Sequence, residues 1–246
     1  MRVMPAAATP SLVRSWLFYL GVVLSLIVYA PLAILLWPFP HRWRYRFVTS
    51  WSHVNLWWLA RSCGLRYRLE AREPLGTAPA VLLCKHQSAW ETFALQRLLP
   101  PHVWVLKREL LWIPLFGWGL ATLRPIAIHR GRTHRALKQI IEQGRARLRE
   151  GLWVLVFPEG TRVPVGERRA YANSGALLAI RAGCAVVPIA HNAGLFWPRK
   201  SIGKRPGVID VVIGPRIETE GRRPEEVTDE AERWIEATCA RLCSSP

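Results

Sequence analysis

The sequence predicts an α/β domain with a mostly parallel central sheet flanked by helices, preceded by an N-terminal hydrophobic membrane-anchoring helical segment. Short apolar runs alternate with helical periodicity from about residue 66 onward, which predicts the sheet and its helices. Residues 15–37 are apolar and uncharged, and about 20 such residues suffice to cross a bilayer. The chain carries 34 Lys and Arg against 17 Asp and Glu, so we expect an anionic partner.

The N-terminal run predicts the first helix of the anchor. It is longer than the apolar part of a secretory signal, and no small-residue cleavage site follows it. Arg42, Arg44 and Arg46 follow closely, which favours a cytoplasmic location for the downstream chain. A second segment, residues 47–65, is rich in tryptophan, as is typical of the membrane interface. We therefore predict a membrane anchor over residues 1–65 and a separate α/β domain over residues 66–246.

Two arrangements of the anchor fit this pattern. It is either one span followed by an interfacial helix, or a pair of helices that enters one leaflet. The alternative for both segments is a pair of helices buried in a soluble core, which so long an uncharged run disfavours.

Beyond the anchor, six apolar runs predict strands and four segments predict helices. The predicted strands cover residues 80–84, 103–107, 125–128, 152–157, 185–190 and 207–214. The predicted helices cover residues 90–99, 133–149, 174–182 and the stretch from about residue 224 onward. Because strands alternate with helices, polar residues at the carboxyl ends of the strands are expected to form the site.

The composition narrows the choice of partners. A net charge of +17 fits nucleic acid, a phospholipid surface or phosphorylated small molecules. The basic residues are spread along the chain without an RNA-binding or zinc-finger signature, so we expect no nucleic acid. The five cysteines are irregularly spaced and predict neither a disulfide framework nor a metal site, which fits a reducing, cytosol-facing location. Cys84 and His86 are two residues apart, but no second pair completes a zinc site.

His86 follows the first predicted strand of the domain, and Glu91 stands five residues later at a predicted helix start. A neutral imidazole is the usual general base near neutral pH, and a carboxylate orients it and stabilises its charged form. The spacing allows a His86–Glu91 dyad; the alternative is a surface histidine beside an ordinary helix-start glutamate. Ser88 lacks the Gly-x-Ser-x-Gly elbow of a nucleophile, so we expect it to cap the helix.

Polar groups also follow other predicted strands. The segment "FPEGTR", residues 157–162, ends a strand with a carboxylate, a glycine that lets backbone amides approach a ligand, a hydroxyl and a guanidinium suited to phosphate. Lys107 ends another strand, and Arg130 lies in a basic cluster after a third. Each of these, taken alone, also fits a turn or a solvated charge. Their shared edge of the sheet makes them candidates for an anion site.

Four segments occur in order between residues 86 and 194, namely "HQSAWE", "KRELLWIPLFGWGL", "FPEGTR" and "VPIAHNAG". This series resembles the motifs of the glycerolipid acyltransferase family, in particular its bacterial 1-acylglycerol-3-phosphate acyltransferases. The resemblance covers residues 65–215 and fits the hydrophobic N-terminus. A His-x4-acid motif followed by "FPEGTR" at a later strand end is highly specific.

The resemblance implies a role for each matching residue. His86 corresponds to the catalytic base and Glu91 to its carboxylate partner. The residues implied in substrate binding are Lys107, Arg130, Glu159, Gly160, Thr161 and Arg162. The residues implied in shaping the acyl site are Pro114, Gly117 and Pro188. The resemblance implies no metal and no cofactor, with acyl-CoA or acyl-carrier protein as co-substrate.

The implied activity is acyl transfer to the free sn-2 hydroxyl of 1-acylglycerol-3-phosphate (lysophosphatidic acid), giving phosphatidic acid in phospholipid biosynthesis. The implied partners are lysophosphatidic acid, the acyl donor and an anionic phospholipid membrane, and the implied place is the cytoplasmic face of the bacterial inner membrane. The rivals are the same transfer to another lysolipid, a lipid hydrolase and a non-enzymatic scaffold. Glu91 stands where the family usually has aspartate, so its extra methylene raises the question of how the carboxylate reaches His86.

Overall fold

The computed structural model describes residues 9–71, 75–129 and 133–244, and these form one seven-stranded sheet. Its strands are β1 (Leu65–Ala71), β2 (Val81–Cys84), β3 (His102–Lys107), β4 (Ile126–Ile128), β5 (Trp153–Val156), β6 (Val186–His191) and β7 (Gly207–Ile213). Their order across the sheet is β1-β7-β6-β2-β5-β3-β4. Of the neighbouring pairs, β6 and β7 are antiparallel and the others are parallel. The predicted mostly parallel sheet is therefore confirmed.

Eight α-helices accompany the sheet within the described ranges. They are α1 (Leu12–Leu35), α2 (His41–Cys63), α3 (Glu91–Leu98), α4 (Phe116–Ala121), α5 (Thr133–Arg149), α6 (Ser174–Ala182), α7 (Ala193–Phe196) and α8 (Pro224–Ser244). A short 3₁₀ helix, Arg108–Trp112, connects β3 to the α4 region. Every predicted strand and helix is present. The sequence reasoning missed β1, whose apolar residues alternate with charged ones at a sheet edge, and it missed α4 and α7, which are too short for a periodic pattern.

Helices cover both faces of the central strands, as a parallel sheet requires. Along β2, Leu82 and Cys84 face a core shared with α1, α2, α3 and α7. Val81 and Leu83, which alternate with them, face a second core built with α5, α6 and α8. All four side chains are fully buried. The strand is a continuous apolar run in the sequence because each of its residues meets a hydrophobic layer.

Helix α1 leaves most of its apolar surface uncovered. The exposed side chains include Trp16, Leu20, Leu24, Ile27, Val28 and Leu35. By length and composition the helix is able to cross a membrane, and 17% of its most apolar 18-residue window is buried against the rest of the protein. Transfer of these exposed apolar side chains from water into lipid lowers the free energy of the protein. The helix therefore suits the predicted anchor.

Helix α2 joins α1 to the rest of the fold. At Gly21 of α1, an added Cβ would lie 2.1 Å from Nε1 of Trp58 on α2, so the glycine permits a close crossing. The same Nε1 donates to the carbonyl of Leu17 at 3.2 Å. On its other side α2 inserts Leu56 and Leu59 into the hydrophobic core. The predicted boundary at residues 65 and 66 falls at the first residue of β1, and the division into two domains stays a prediction.

His102 is a buried histidine at the start of β3. Its Nδ1 lies 2.9 Å from the carbonyl oxygen of Pro100 and donates to it, and its backbone N–H donates to the hydroxyl of Tyr45 on α2 at 3.1 Å. Burial lowers the pKa of His102 to about 4, although the Pro100 carbonyl opposes the shift. The imidazole is therefore neutral in the folded protein at neutral pH.

We expect His102 to make folding sensitive to mild acid. Its pKa is about 4 in the fold against 6.5 for an unperturbed histidine, so the unfolded chain binds the extra proton between these values. Its contribution to the free energy of unfolding is complete above pH 6.5 and falls by about 3 kcal/mol as the pH drops to 4. His102→Asn, which retains a donor for Pro100, should lose this dependence.

The measurement is urea unfolding in detergent at a series of pH values, followed by tryptophan fluorescence. Other acid-sensitive groups titrate in both proteins, so the difference between wild type and variant isolates His102. Curves that run parallel between pH 4 and 6.5 would contradict the assignment.

Candidate active site

His86 stands beyond the carboxyl end of β2, and its ring is held on two sides. It stacks on Phe157, the residue after β5, with ring centroids 3.9 Å apart and an interplanar angle of 15°. Its Nδ1 lies 2.5 Å from Oε2 of Glu91. The predicted pair is thus in direct contact. Because Nδ1 faces the carboxylate, Nε2 on the opposite side of the ring is the nitrogen left for a substrate.

The carboxylate of Glu91 is fully buried at the first turn of α3. Its Oε1 accepts the backbone N–H groups of Gln87 at 2.7 Å and Ser88 at 2.5 Å, while Oε2 meets His86. Burial by itself would raise the pKa of Glu91, but the neighbouring His86 and His191 and these hydrogen bonds outweigh it, so the pKa falls below its usual value. With its longer side chain, Glu91 contacts His86 and holds the loop with the same carboxylate.

Ser88 does not cap α3 as we expected. Its hydroxyl accepts the backbone N–H of Trp90 at 3.1 Å, and Trp90 itself occupies the N-cap position without a side-chain cap. The loop N–H groups are satisfied by Glu91 instead. A carboxylate at the first helical position is electrostatically favoured there, which explains why the acid takes over this role.

The backbone of His86 is bound by the loop that follows β5. Its N–H donates to Oε2 of Glu159 at 2.7 Å, and its carbonyl accepts the N–H of Val163 at 2.8 Å. Between these contacts Gly160 has a φ of +68°, a left-handed conformation that favours glycine. The "FPEGTR" segment and the histidine loop therefore form one unit.

A buried ion-pair network lies behind this unit, and sequence reasoning missed most of it. Nζ of Lys85 lies 2.7 Å from Oε1 of Glu159 and 2.6 Å from Oε1 of Glu236 on α8. The hydroxyl of Tyr171 donates to Glu236 at 2.9 Å. Burial alone would lower the pKa of Lys85, but the two carboxylates reverse this and raise it. Lys85 is therefore a buried cation paired on both sides.

Glu159 lies in this network and not on the cavity that His86 lines. The prediction that Glu159 holds the substrate stays a prediction, and the contacts of its carboxylate are with Lys85 and the backbone of His86. Thr161 and Arg162, two and three residues farther along, do line the cavity. Gly160 forms the turn between Glu159 and Thr161 and is not among the residues that line the cavity.

His191 is a second buried histidine at the site, and we did not single it out from the sequence. Its Nε2 lies 2.9 Å from the carbonyl oxygen of Lys85 and 3.4 Å from Oε1 of Glu91. Its Nδ1 accepts the N–H of Ala193, which fixes the neutral form with the proton on Nε2. Burial lowers the pKa of His191, in agreement with that form. The sequence signal that could have identified it is its position, a titratable residue directly after the predicted strand 185–190.

The cavity has a volume of about 500 Å³ and two kinds of wall. One part of the lining consists of His86 and the cations Lys107, Arg162, Arg199 and Lys200. Elsewhere it is largely apolar, with Leu26, Ala30 and Ala33 from α1, Trp51 from α2, and Phe116 and Leu120 from α4. A polar group and an acyl chain are thus accommodated in one space, which suits an amphipathic ligand.

The three residues predicted to shape an acyl site do not line this cavity themselves. Pro114 is exposed, and Pro188 is buried in β6, where its carbonyl accepts the N–H of Gly214 at 2.9 Å. Gly117 is buried, and a Cβ there would lie 2.4 Å from the carbonyl oxygen of Leu111. Their role in the acyl site stays a prediction. Arg130 lies outside the described residues.

No metal centre is apparent in the part of the chain that the structure describes. There, no group of three or more His, Cys, Asp or Glu side chains is arranged to hold a metal ion.

Known proteins resemble this chain along most of its length. A family model described as acyltransferase matches residues 66–192. A 1-acyl-sn-glycerol-3-phosphate acyltransferase of Pseudomonas aeruginosa is 45% identical over 240 residues, covering 96% of this chain and 93% of that protein. A protein of the same name from Cocos nucifera is 28% identical over 219 residues, covering 88% of this chain and 70% of its own length.

The fold also matches a solved structure. The crystal structure of the 1-acyl-sn-glycerophosphate (LPA) acyltransferase of Thermotoga maritima superposes with a TM-score of 0.80 and covers 96% of this chain and 97% of that one, at 20% sequence identity. At this identity the likeness concerns the fold alone. The family model and the Pseudomonas relative carry the assignment, and they establish that this chain belongs to the acyltransferase family.

Proposed function

We propose that this acyltransferase moves an acyl chain from acyl-CoA or acyl-carrier protein to the sn-2 hydroxyl of 1-acylglycerol-3-phosphate and so produces phosphatidic acid. The observation that carries the proposal is the contact between His86 and Glu91 at a cavity with a cationic wall and an apolar wall. A lysophospholipid with a phosphate and one acyl chain has the matching chemistry. The name of the Pseudomonas relative supports the same acceptor.

The reaction requires one base and no covalent enzyme intermediate. Nε2 of His86 takes the proton of the acceptor hydroxyl while that oxygen bonds to the thioester carbonyl carbon. The carbon–sulfur bond then breaks, and the thiolate takes up the proton from His86. Glu91 stabilises the imidazolium that exists between these steps, as the carboxylate does in a Ser-His-Asp triad. Lys107 and backbone amides are our candidates for the developing oxyanion.

The acceptor phosphate is assigned to Arg162, assisted by Lys107 and Thr161. All three line the cavity with His86. A guanidinium matches two phosphate oxygens at once, while the lysine supplies a point charge and the threonine a hydroxyl donor. Arg162 is attached to the loop that binds both backbone groups of His86, so the phosphate is positioned relative to the base. Such positioning supplies a large part of the rate gain in a two-substrate reaction.

The apolar wall suggests where the acyl chain and the membrane lie. It includes residues of α1 and α2, the helices predicted to anchor the protein. An acyl chain in this wall stays beside the bilayer from which the acceptor comes. The arginines that follow α1 favour the cytoplasmic face of a bacterial inner membrane, and their charge suits anionic phospholipid heads. We propose this location, and no nucleic acid partner.

His191, Lys85 and Glu159 are proposed as positioning residues. Glu159 holds the backbone of His86, Lys85 neutralises Glu159, and His191 binds the Lys85 carbonyl beside Glu91. None of the three carries the transferred proton in this mechanism. Their effect is to hold the dyad in one geometry.

Loss of the base tests the reaction. We expect His86→Ala to lower kcat about 10²–10⁴-fold, which is the usual contribution of general base catalysis. The assay follows acyl transfer to lysophosphatidic acid from both donors, with other lysolipids and free fatty acid release measured in parallel. His53→Ala, which alters an exposed histidine of α2, is the matched control. Near-normal turnover by folded His86→Ala would exclude the dyad. If the wild type transferred the acyl chain faster to another lysolipid, that lysolipid would take the place of lysophosphatidic acid as the proposed acceptor.

Loss of the guanidinium tests the phosphate assignment. We expect Arg162→Gln to raise the acceptor KM about 10–100-fold, because hydrogen bonds to charged groups contribute about 1.5–3 kcal/mol. Arg169→Gln removes an exposed arginine that does not line the cavity and serves as control. An unchanged acceptor KM and kcat would remove Arg162 from the phosphate site.

His191 is tested through the pH dependence of the reaction. We expect His191→Phe to lower kcat about tenfold, equivalent to about 1.4 kcal/mol, with substrate KM values within about twofold. Glu91 loses one of the groups that lower its pKa, so the acid limb of the pH–rate profile should move to higher pH. His191→Gln retains an N–H donor and should restore most of the rate. An unmoved acid limb in both variants would reduce His191 to a packing residue.

A further inference from the structure

Four basic side chains line the polar part of the cavity, which is more than one phosphate needs. Lys107 and Arg162 come from predicted motifs, whereas Arg199 and Lys200 follow α7 and were not among the predicted site residues. All four line the same cavity as His86. The excess of positive charge requires an explanation of its own.

The structure places no counter-charge beside them. Among the carboxylates of the described residues, none lies within 4.0 Å of a side-chain nitrogen of these four. A phosphate monoester carries about −1.5 to −2 charges at neutral pH. The acceptor phosphate therefore balances two of the four cations, and two remain for a second anionic group.

Arg199 and Lys200 are held in place while their charges stay accessible. Nη1 of Arg199 donates to the carbonyl oxygen of Arg162 at 2.8 Å, which uses one of its five N–H donors. Lys200 has a φ of +62°, an uncommon conformation for a residue other than glycine, and such conformations are often retained at ligand sites. Both residues are exposed. The pair is thus fixed next to the proposed phosphate site without being neutralised by the protein.

We propose that Arg199 and Lys200 form a subsite for the phosphate of the acyl donor. This inference rests on the proposed function, because that function requires a second substrate in the same cavity. Coenzyme A and acyl-carrier protein both present their thioester on a phosphopantetheine arm, so the shared anionic group is the phosphate at the end of that arm. The subsite adds no chemical step. It would hold the thioester in the same cavity as His86, Lys107 and Arg162.

The test compares donors with and without phosphate. Lys200→Gln is the primary variant, Arg199→Gln/Lys200→Gln the second, and Lys138→Gln on the exposed face of α5 the control. We expect the KM for acyl-CoA or acyl-carrier protein to rise about tenfold in Lys200→Gln and further in the double variant. Transfer from an acyl-N-acetylcysteamine thioester, which has no phosphate, should be unaffected, and the acceptor KM should stay within twofold. The donor whose KM rises more identifies the source of the phosphate.

Two results would overturn the subsite. One is an equal loss of activity with the phosphate-free thioester. The other is a rise in the KM for lysophosphatidic acid, which would mean that all four basic side chains bind the acceptor. Direct binding of coenzyme A and of phosphopantetheine, measured by titration calorimetry, separates this proposal from the proposed function. If wild type transferred nothing to lysophosphatidic acid, the proposed function would fail. The subsite would still be tested independently: weaker phosphopantetheine binding by Lys200→Gln than by wild type would support it, and equal binding would reject it.

Discussion

The site depends on one buried carboxylate that has to stay ionised. Glu91 is removed from water, and an unpaired charge in such a place is strongly destabilising. Two loop N–H groups and His86 satisfy it, and His191 stands beside it. These same contacts determine the path of residues 86–88 and the orientation of the imidazole. The geometry of the base is therefore a consequence of solvating Glu91 with protein groups.

The second constraint is the buried cation immediately before His86. Lys85 binds Glu159 from the loop after β5 and Glu236 from α8, so it joins that loop to the C-terminal helix. Through the contact of Glu159 with the His86 N–H, the far C-terminal helix supports the dyad. Removal of one partner of such a buried ion pair leaves an uncompensated buried charge, which is strongly destabilising.

Local sequence patterns predicted the sheet and most helices and allowed a dyad of His86 and Glu91, which the resemblance to the acyltransferase motifs then assigned. Val81–Cys84 is apolar throughout since both faces are covered, and the histidine and acid lie within one loop and one helical turn. One partner of Lys85, Glu236, is 151 residues away, and no local pattern specifies that pairing. Ser88 illustrates a related failure: its residue type favoured capping, but the competing carboxylate of Glu91 satisfied the same loop.

The two helices of the predicted anchor and the sheet domain share a hydrophobic core and line the same cavity. Helix α2 contributes Leu56 and Leu59 to the core under the sheet, and α1 contributes Ala30 and Ala33 to the cavity wall. Attachment to a bilayer alone does not require small apolar side chains on the inner face of α1, where they line the cavity. Helix α1 thus has exposed apolar side chains on its outer surface and others that line the cavity. Removal of residues 1–65 would therefore remove part of the cavity wall together with the predicted anchor.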